Sequence, residues 1–159
     1  MIDKTEREAA QKNIAENRKA FHDYHILETF EAGLVLQGTE VKSIREGRVN
    51  LRDSFARVEA GEVWVYNIHI SPYTHRGYAD HEPTRRRKLL LNRHEIRKLI
   101  GKTVERGMTL VPLRLYFKSG KVKLAVSLAR GKQAHDKRDA IRKKEVDRET
   151  RAAMKARGR

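Results

Sequence analysis

The chain is 159 residues long, 38% hydrophobic and 36% charged, so it holds one compact core beneath a heavily charged surface. Thirty-six Lys and Arg stand against 21 Asp and Glu, a net charge of +15, which points to a polyanionic partner, nucleic acid before an anionic membrane surface. The absence of Cys excludes disulfide scaffolds, thiolate zinc sites and cysteine nucleophiles and fits a reducing cytoplasm, and no apolar stretch approaches the length of a membrane span.

Residues 1–13 are polar and weakly periodic and are expected to form an arm. Tyr24 to Leu36 mixes β-branched, aromatic and acidic residues, a long strand interrupted at Gly33. Thr39 to Arg45 suits a short helix, with Thr39 as N-cap and Gly47 just past the end. From Phe55 the period becomes two: Val63 and Val65 alternate with Trp64, Tyr66, Ile68 and Ile70, and Ala60-Gly61 supplies the turn before them. Residues 71–88 are polar and read as a long loop. Asn92 opens the clearest helix, with Glu95 in capping-box position and Ile96, Leu99, Ile100 and Val104 on one face. Two alternating strands follow, Val111 to Phe117 and Val122 to Leu128, joined by a tight turn at Ser119-Gly120.

The fold expected is mainly β with flanking helices. It is a small antiparallel barrel of about six strands spanning residues 14–130, since closure removes exposed strand edges. Residues 131–159 differ in character. They contain no aromatic residue, and Ile141, Val146 and Met154 share no helical stripe. Three acid-before-base pairs (Asp139–Lys143, Glu145–Arg148 and Asp147–Arg151) support a helix, but each contributes only ~0.2–0.5 kcal/mol. This basic tail is expected to be disordered when free and helical against a polyanion.

Enzyme motifs are scarce. His94-Glu95 begins like a zinc-protease helix, but Lys98 stands where the second His is needed. His75 and His81 flank Asp80 in the long loop and are expected to be a solvated pair. A metal-dependent nuclease using Glu28, Glu31, Glu40 or Asp53 stands as the alternative from another class, although no two of these have a telling spacing. The run Arg85-Arg86-Arg87-Lys88 reads as a phosphate-contacting edge, with Arg87 and Lys88 as candidate RNA contacts. Tyr24, Tyr73 and Tyr78 are candidate platforms for unpaired bases.

Four separated blocks share a family pattern. They are Phe30-Glu31-Ala32-Gly33, then Gly38-Thr39-Glu40-Val41-Lys42-Ser43, then Arg87-Lys88-Leu89-Leu90-Leu91, and Gly131-Lys132 with His135-Asp136-Lys137-Arg138. Collinear from about Ile14 to Arg138, they resemble the small protein B family, the SsrA-binding proteins of bacterial trans-translation. The resemblance implies an oligonucleotide-binding-type (OB) barrel, no catalysis and no cofactor. It also implies a monomeric cytoplasmic protein that binds the tRNA-like domain of tmRNA and delivers it to stalled ribosomes. By block position, Glu31, Leu90 and Asn92 look like the family's tmRNA contacts. Gly131, Lys132, His135, Asp136, Lys137 and Arg138 look like the part of the tail that meets the decoding centre, ahead of a helix in the mRNA channel. There are departures: Lys132 is followed by Gln133 and Ala134 where many relatives carry further Lys, and Val146 stands where some carry Trp. A general rRNA-binding protein is the nearer alternative; it would share the charge but would not need Glu31 at the contact face.

Overall fold

Alternating side chains close the strands into a ring. The computed structural model describes residues 11–73, 80–132 and 134–157. Its strands are β1 (Gln11–Glu16), β2 (Tyr24–Leu34), β3 (Val49–Asn50), β4 (Phe55–Glu59), β5 (Glu62–Tyr66), β6 (His69–Ile70), β7 (Arg87–Leu90), β8 (Met108–Lys118) and β9 (Lys121–Gly131). Its helices are α1 (Arg18–Asp23), α2 (Gly38–Arg45), α3 (Arg93–Thr103) and α4 (Ala134–Arg157). The main sheet runs β1-β8-β4-β5-β7-β2-β9, and β9 pairs back onto β8, so six antiparallel strands from β8 round to β9 form a closed ring. The six-stranded expectation holds. Strand β1 lies outside the ring, paired with the far half of β8 from Arg114 to Lys118.

The ring is filled by the inward set of the alternation: Phe30 and Ala32 from β2, Val63 and Val65 from β5, Leu89 from β7, and Leu110, Leu115, Leu124, Val126 and Leu128 from β8 and β9. Ile44 of α2 and Leu99 of α3 pack into the same core. A second, smaller cluster forms where α1 covers the other face of β8 and β9, with Ala20 against Val111, Leu113 and Ala129. Both expected turns have left-handed backbone at two successive positions, Ala60 with Gly61 and Ser119 with Gly120, as the twist of a two-residue hairpin requires.

Several boundaries differ from the sequence reading. Residues 11–13 belong to β1 rather than to an arm, although their side chains are exposed. The cap of α2 is Gln37, not Thr39, because the Glu40 carboxylate reaches back to the Gln37 backbone N–H at 2.8 Å. The alternation through Ile68 and Ile70 is broken at Asn67, whose φ is 63°, so both isoleucines turn inward. In α3 the apolar face is narrower than its spacing indicates: Leu99 is buried, but Ile100 and Val104 are exposed. Helix α4 carries no apolar stripe, and Ile141, Val146 and Met154 are all exposed.

The core also holds an ion pair. Glu40 of α2 and Arg87 of β7 are both fully buried, and the Arg87 Nε donates to Glu40 Oε2. The remaining Arg87 donors go to the carbonyls of Ile68 at 2.7 Å and Pro83 at 3.1 Å. Arg85 donates to the other Glu40 oxygen at 2.6 Å. Burial raises the Glu40 pKa, but these donors outweigh it and hold the carboxyl below its usual range.

Removing one partner of such a pair strands the other charge. Glu40→Ala is therefore expected to destabilise the fold by about 3–5 kcal/mol, measured by urea unfolding. Because the folded pKa is depressed, the pair's contribution is complete above the unfolded carboxylate value of about 4.3 and is lost as pH falls through the folded value. A Glu40→Ala variant as stable as the parent contradicts this account.

Candidate RNA interface

Strands β2, β9 and β8 lie side by side, and their outward side chains form a platform. Glu31 sits on β2 in register with Ala125 of β9. Ala125 is small and buried, which leaves room for the Tyr116 side chain of β8 to cross β9. The Tyr116 hydroxyl donates to Glu31 Oε2 at 2.6 Å, and Lys118 Nζ donates to both carboxylate oxygens at 3.2 Å. Partial burial raises the Glu31 pKa, but the Tyr116 and Lys118 hydrogen bonds, helped by the charge of Lys123, bring it below the usual value. Burial, with the Glu31 bond, pushes the Tyr116 hydroxyl far above its ordinary range, so it remains a donor. The result is a half-exposed carboxylate, ionised at neutral pH and fixed in direction, with lone pairs left for a base N–H.

Leu90 and Asn92 lie along the same edge. Leu90 pairs with Gly33 across β7 and β2 and is 52% exposed. A Cβ at Gly33 would stand 3.3 Å from the Leu90 Cβ, so the bare backbone of glycine lets the two strands seat Leu90 closely. A groove of about 410 Å³ runs between Gly33, Leu36, Leu90 and the β8–β9 hairpin, with Lys121 and Lys123 in its lining. Asn92 is exposed and caps α3, and its backbone N–H donates to Glu95 Oε1 at 3.1 Å.

The basic run behaves otherwise than its composition indicates. Arg87 is not a phosphate contact: it is fully buried on Glu40, the role that an uncompensated core carboxylate demands. Arg86 lies over the Trp64 ring and pairs with Glu59, and Lys88 pairs with Glu62 at 3.1 Å. Lys88 stays partly exposed at the edge of the ring.

The carboxylates considered for a nuclease are dispersed and engaged. Glu28 pairs with Lys98 at 2.7 Å, Glu31 with Lys118, Glu40 with Arg85 and Arg87, and Asp53 with Lys19 at 2.8 Å. Among the described residues no group of three or more His, Asp or Glu is placed to hold a metal. His81 is not solvated. Its ring is buried, with Nε2 2.9 Å from the Ile70 carbonyl and Nδ1 2.9 Å from the Thr39 hydroxyl. Tyr73 lies under the Lys42 ammonium. Tyr78 and His75 lie outside the described residues.

Tyr24 starts β2, paired with Gly131 at the end of β9, so it stands at the opposite end of the strand from Glu31. Seven residues at about 3.3 Å each separate the two by roughly 23 Å. Past Gly131, the Lys132 backbone N–H donates to the Asp23 carbonyl at 2.8 Å and its Nζ reaches the Phe21 carbonyl at 3.4 Å. The tail is thus tied to α1 before it leaves the ring. His135, Asp136, Lys137 and Arg138 lie at the start of α4, and Arg138 is exposed.

Sequence reasoning missed Tyr116 and Lys118. A signal was present: Tyr116 falls on the outward phase between Leu115 and Phe117, which face the ring core, and a tyrosine in that position needs a partner for its hydroxyl.

The model of the family described as SmpB protein matches residues 14–156. The SsrA-binding protein of Carboxydothermus hydrogenoformans is 60% identical over 147 residues, covering 92% of this chain and 99% of that one. The SsrA-binding protein of Syntrophobacter fumaroxidans is 62% identical over 136 residues, covering 86% of this chain and 84% of that one. A chain from a solved structure described as "tmRNA-SmpB: a journey to the center of the bacterial ribosome" superposes with a TM-score of 0.65 at 53% identity, over 80% of this chain and 93% of that chain. With the family model spanning the ring and most of the tail, and relatives this similar along nearly their whole length, the chain belongs to the SmpB protein family.

Proposed function

We propose that this chain is an RNA-binding factor that holds the tRNA-like domain of tmRNA at the Glu31 end of β2, β9 and β8 and delivers it to stalled ribosomes. One observation carries the assignment of the site: a carboxylate held ionised and oriented by Tyr116 and Lys118 inside a positively charged surface. A protein that needed only to bind phosphate would gain nothing from it, since the carboxylate repels the backbone. A fixed carboxylate instead accepts from base N–H groups, which adds selectivity to the affinity that Lys118, Lys121 and Lys123 supply. Leu90 offers an apolar surface to an unstacked base, and Asn92 offers amide donors and acceptors beside it.

In this reading the tail acts separately. Every aromatic residue precedes it, and α4 has no face to bury against the ring. It carries Lys132, His135, Asp136, Lys137 and Arg138 towards the decoding centre, and the helix beyond them occupies the mRNA channel. The ring then supports the elbow of the tRNA-like domain, so that protein and RNA together present the outline of a whole tRNA.

Glu31→Ala raises the net charge yet is expected to weaken binding of the tRNA-like domain about tenfold at fixed salt, within the ~1–3 kcal/mol of a good base-edge contact. Unchanged or tighter binding in a filter or fluorescence titration excludes Glu31 from the site. Asn92→Asp separates two roles of one residue. Aspartate caps a helix as well as asparagine does, so thermal stability should hold while RNA affinity falls with the loss of the amide donors. Affinity equal to the parent's leaves Asn92 as a helix cap alone.

Removing residues 133–159 is expected to leave binding of the tRNA-like domain within about twofold, since no contact assigned to that site lies there, and to abolish peptide tagging on stalled ribosomes. Lys144→Pro breaks the helix interior at a cost of roughly 3 kcal/mol. Tagging should fall steeply while tmRNA affinity and the melting temperature of the ring stay put. Tagging at the normal rate shows instead that the tail works as an unstructured charged tether.

A further inference from the structure

Two donors hold the Glu31 carboxylate, and they hold it differently. Tyr116 is 6% exposed, and its hydroxyl makes one short bond, 2.6 Å, to Oε2. Burial keeps that hydroxyl protonated, so the bond is a fixed part of the sheet. Lys118 starts nearer the hairpin tip, opposite Lys121, and stretches across β9 to reach the carboxylate. Its ammonium straddles both oxygens at 3.2 Å, whereas Lys19 and Lys98 meet a single oxygen of Asp53 and Glu28 at 2.8 Å and 2.7 Å. Lys118 and Glu31 keep 41% and 37% of their side chains in water. A long side chain held stretched gives up rotamer freedom, and an exposed ion pair returns little for it. Tyr116 is thus the permanent partner of Glu31, and Lys118 is an exchangeable one.

What can displace Lys118 is set by what it leaves behind. Among the described residues Lys118 is the donor to Oε1. A bare phosphate that draws the ammonium away uncovers Oε1 beside its own negative charge. That exchange loses the ion pair and adds repulsion. A nucleotide that brings a base N–H to Oε1 removes the cost: the carboxylate keeps a donor, and Lys118 is released to a phosphate of the same strand.

We infer that Lys118 is a specificity-determining residue: it stays on Glu31 against bare phosphate and passes to an RNA phosphate only when a base edge replaces it on the carboxylate. The inference rests on the reading of the Glu31 end as the tmRNA site. It adds the reason why positive charge at that end does not engage every polyanion alike.

The test counts the phosphates that Lys118 neutralises. The logarithm of the binding constant falls linearly with the logarithm of salt concentration, and each lysine seated on a phosphate steepens that slope by about one. The full-length protein and its variants are titrated over a range of salt against two ligands. One is the isolated tRNA-like domain of tmRNA; the other is long-chain inorganic polyphosphate, which has phosphate oxygens and no base. Lys118→Met keeps the aliphatic stem and removes the charge. It should lower the slope by about one on the tRNA-like domain and leave the polyphosphate slope unchanged. Glu31→Gln tests the same exchange independently, because it frees Lys118 before any ligand binds. It should raise the polyphosphate slope by about one, while on the tRNA-like domain the slope stays and the affinity falls. The double variant should return the polyphosphate slope to the parent's.

An equal loss of slope on both ligands makes Lys118 an ordinary phosphate contact, and no loss on the RNA leaves it a fixed brace of Glu31. Either result overturns the inference, as does a Glu31→Gln variant with the parent's polyphosphate slope. These failures leave the Glu31 site standing, whereas unchanged affinity of Glu31→Ala for the tRNA-like domain removes the site itself.

Discussion

A carboxylate and a guanidinium sealed together in the core fix the strand on which the proposed RNA edge is built. Glu40 enters from α2 and Arg87 from β7, and neither has water to fall back on. Two buried charges cost several kcal/mol each to desolvate, so the pair persists because its donors converge on it: Arg87 to Glu40 and to two carbonyls, and Arg85 Nη2 to the second carboxylate oxygen. That requirement sets where β7 stands relative to α2 and to the segment around Ile68. It therefore sets the register that brings Leu90 against Gly33 and starts α3 at Asn92. An apolar pair of equal volume would fill the space but would leave β7 freer to slip by a residue, and a one-residue slip would turn Leu90 inward.

The outward face of β2, β9 and β8 extends this logic. A pleated sheet alternates its side chains, so the same strands that fill the ring with Phe30, Leu115 and Leu124 present Glu31, Tyr116 and Lys123 outside. The eleven-residue length of β2 gives that face two ends. One end carries a lone oriented carboxylate amid lysines. The other is roofed by α1 and holds mixed charge around two aromatic rings. The closed ring keeps the two at a fixed separation.

Much of the ring was legible because its strands keep a period of two between the bulges at Ile26/Glu28 and Pro112/Arg114, and its hairpin turns carry Gly at positions that need left-handed backbone. Strand β1 was not, since Gln11–Glu16 is mostly exposed and only Ile14 and Ala15 pack against the core while its backbone pairs with β8. Arg87 and His81 were misread for one reason. A charged or polar residue is placed outside by pattern, and only a partner far along the chain, Glu40 or Thr39 with the Ile70 carbonyl, makes the inside tolerable. Glu31 was legible only through a resemblance. No spacing in the chain distinguishes it from Glu28, and what sets it apart is Tyr116, 85 residues away.

The same partnering explains why net charge locates the RNA so poorly. In the run from Arg85 to Lys88 every base answers an acid, at Glu40, Glu59 or Glu62, so a cluster that looks like a phosphate edge is mostly cancelled. The uncancelled charge sits elsewhere: in the tail, where 11 bases face 5 acids over residues 131–159, and around the β8–β9 hairpin. Charge of that kind attracts any polyanion, and it attracts each more weakly as salt rises. Discrimination has to come from groups that oppose the attraction unless the right base edge meets them. At the site proposed for tmRNA, an ionised Glu31 is the group that would meet that condition, because misplaced phosphate pays its repulsion in full and a correctly placed N–H donor relieves it.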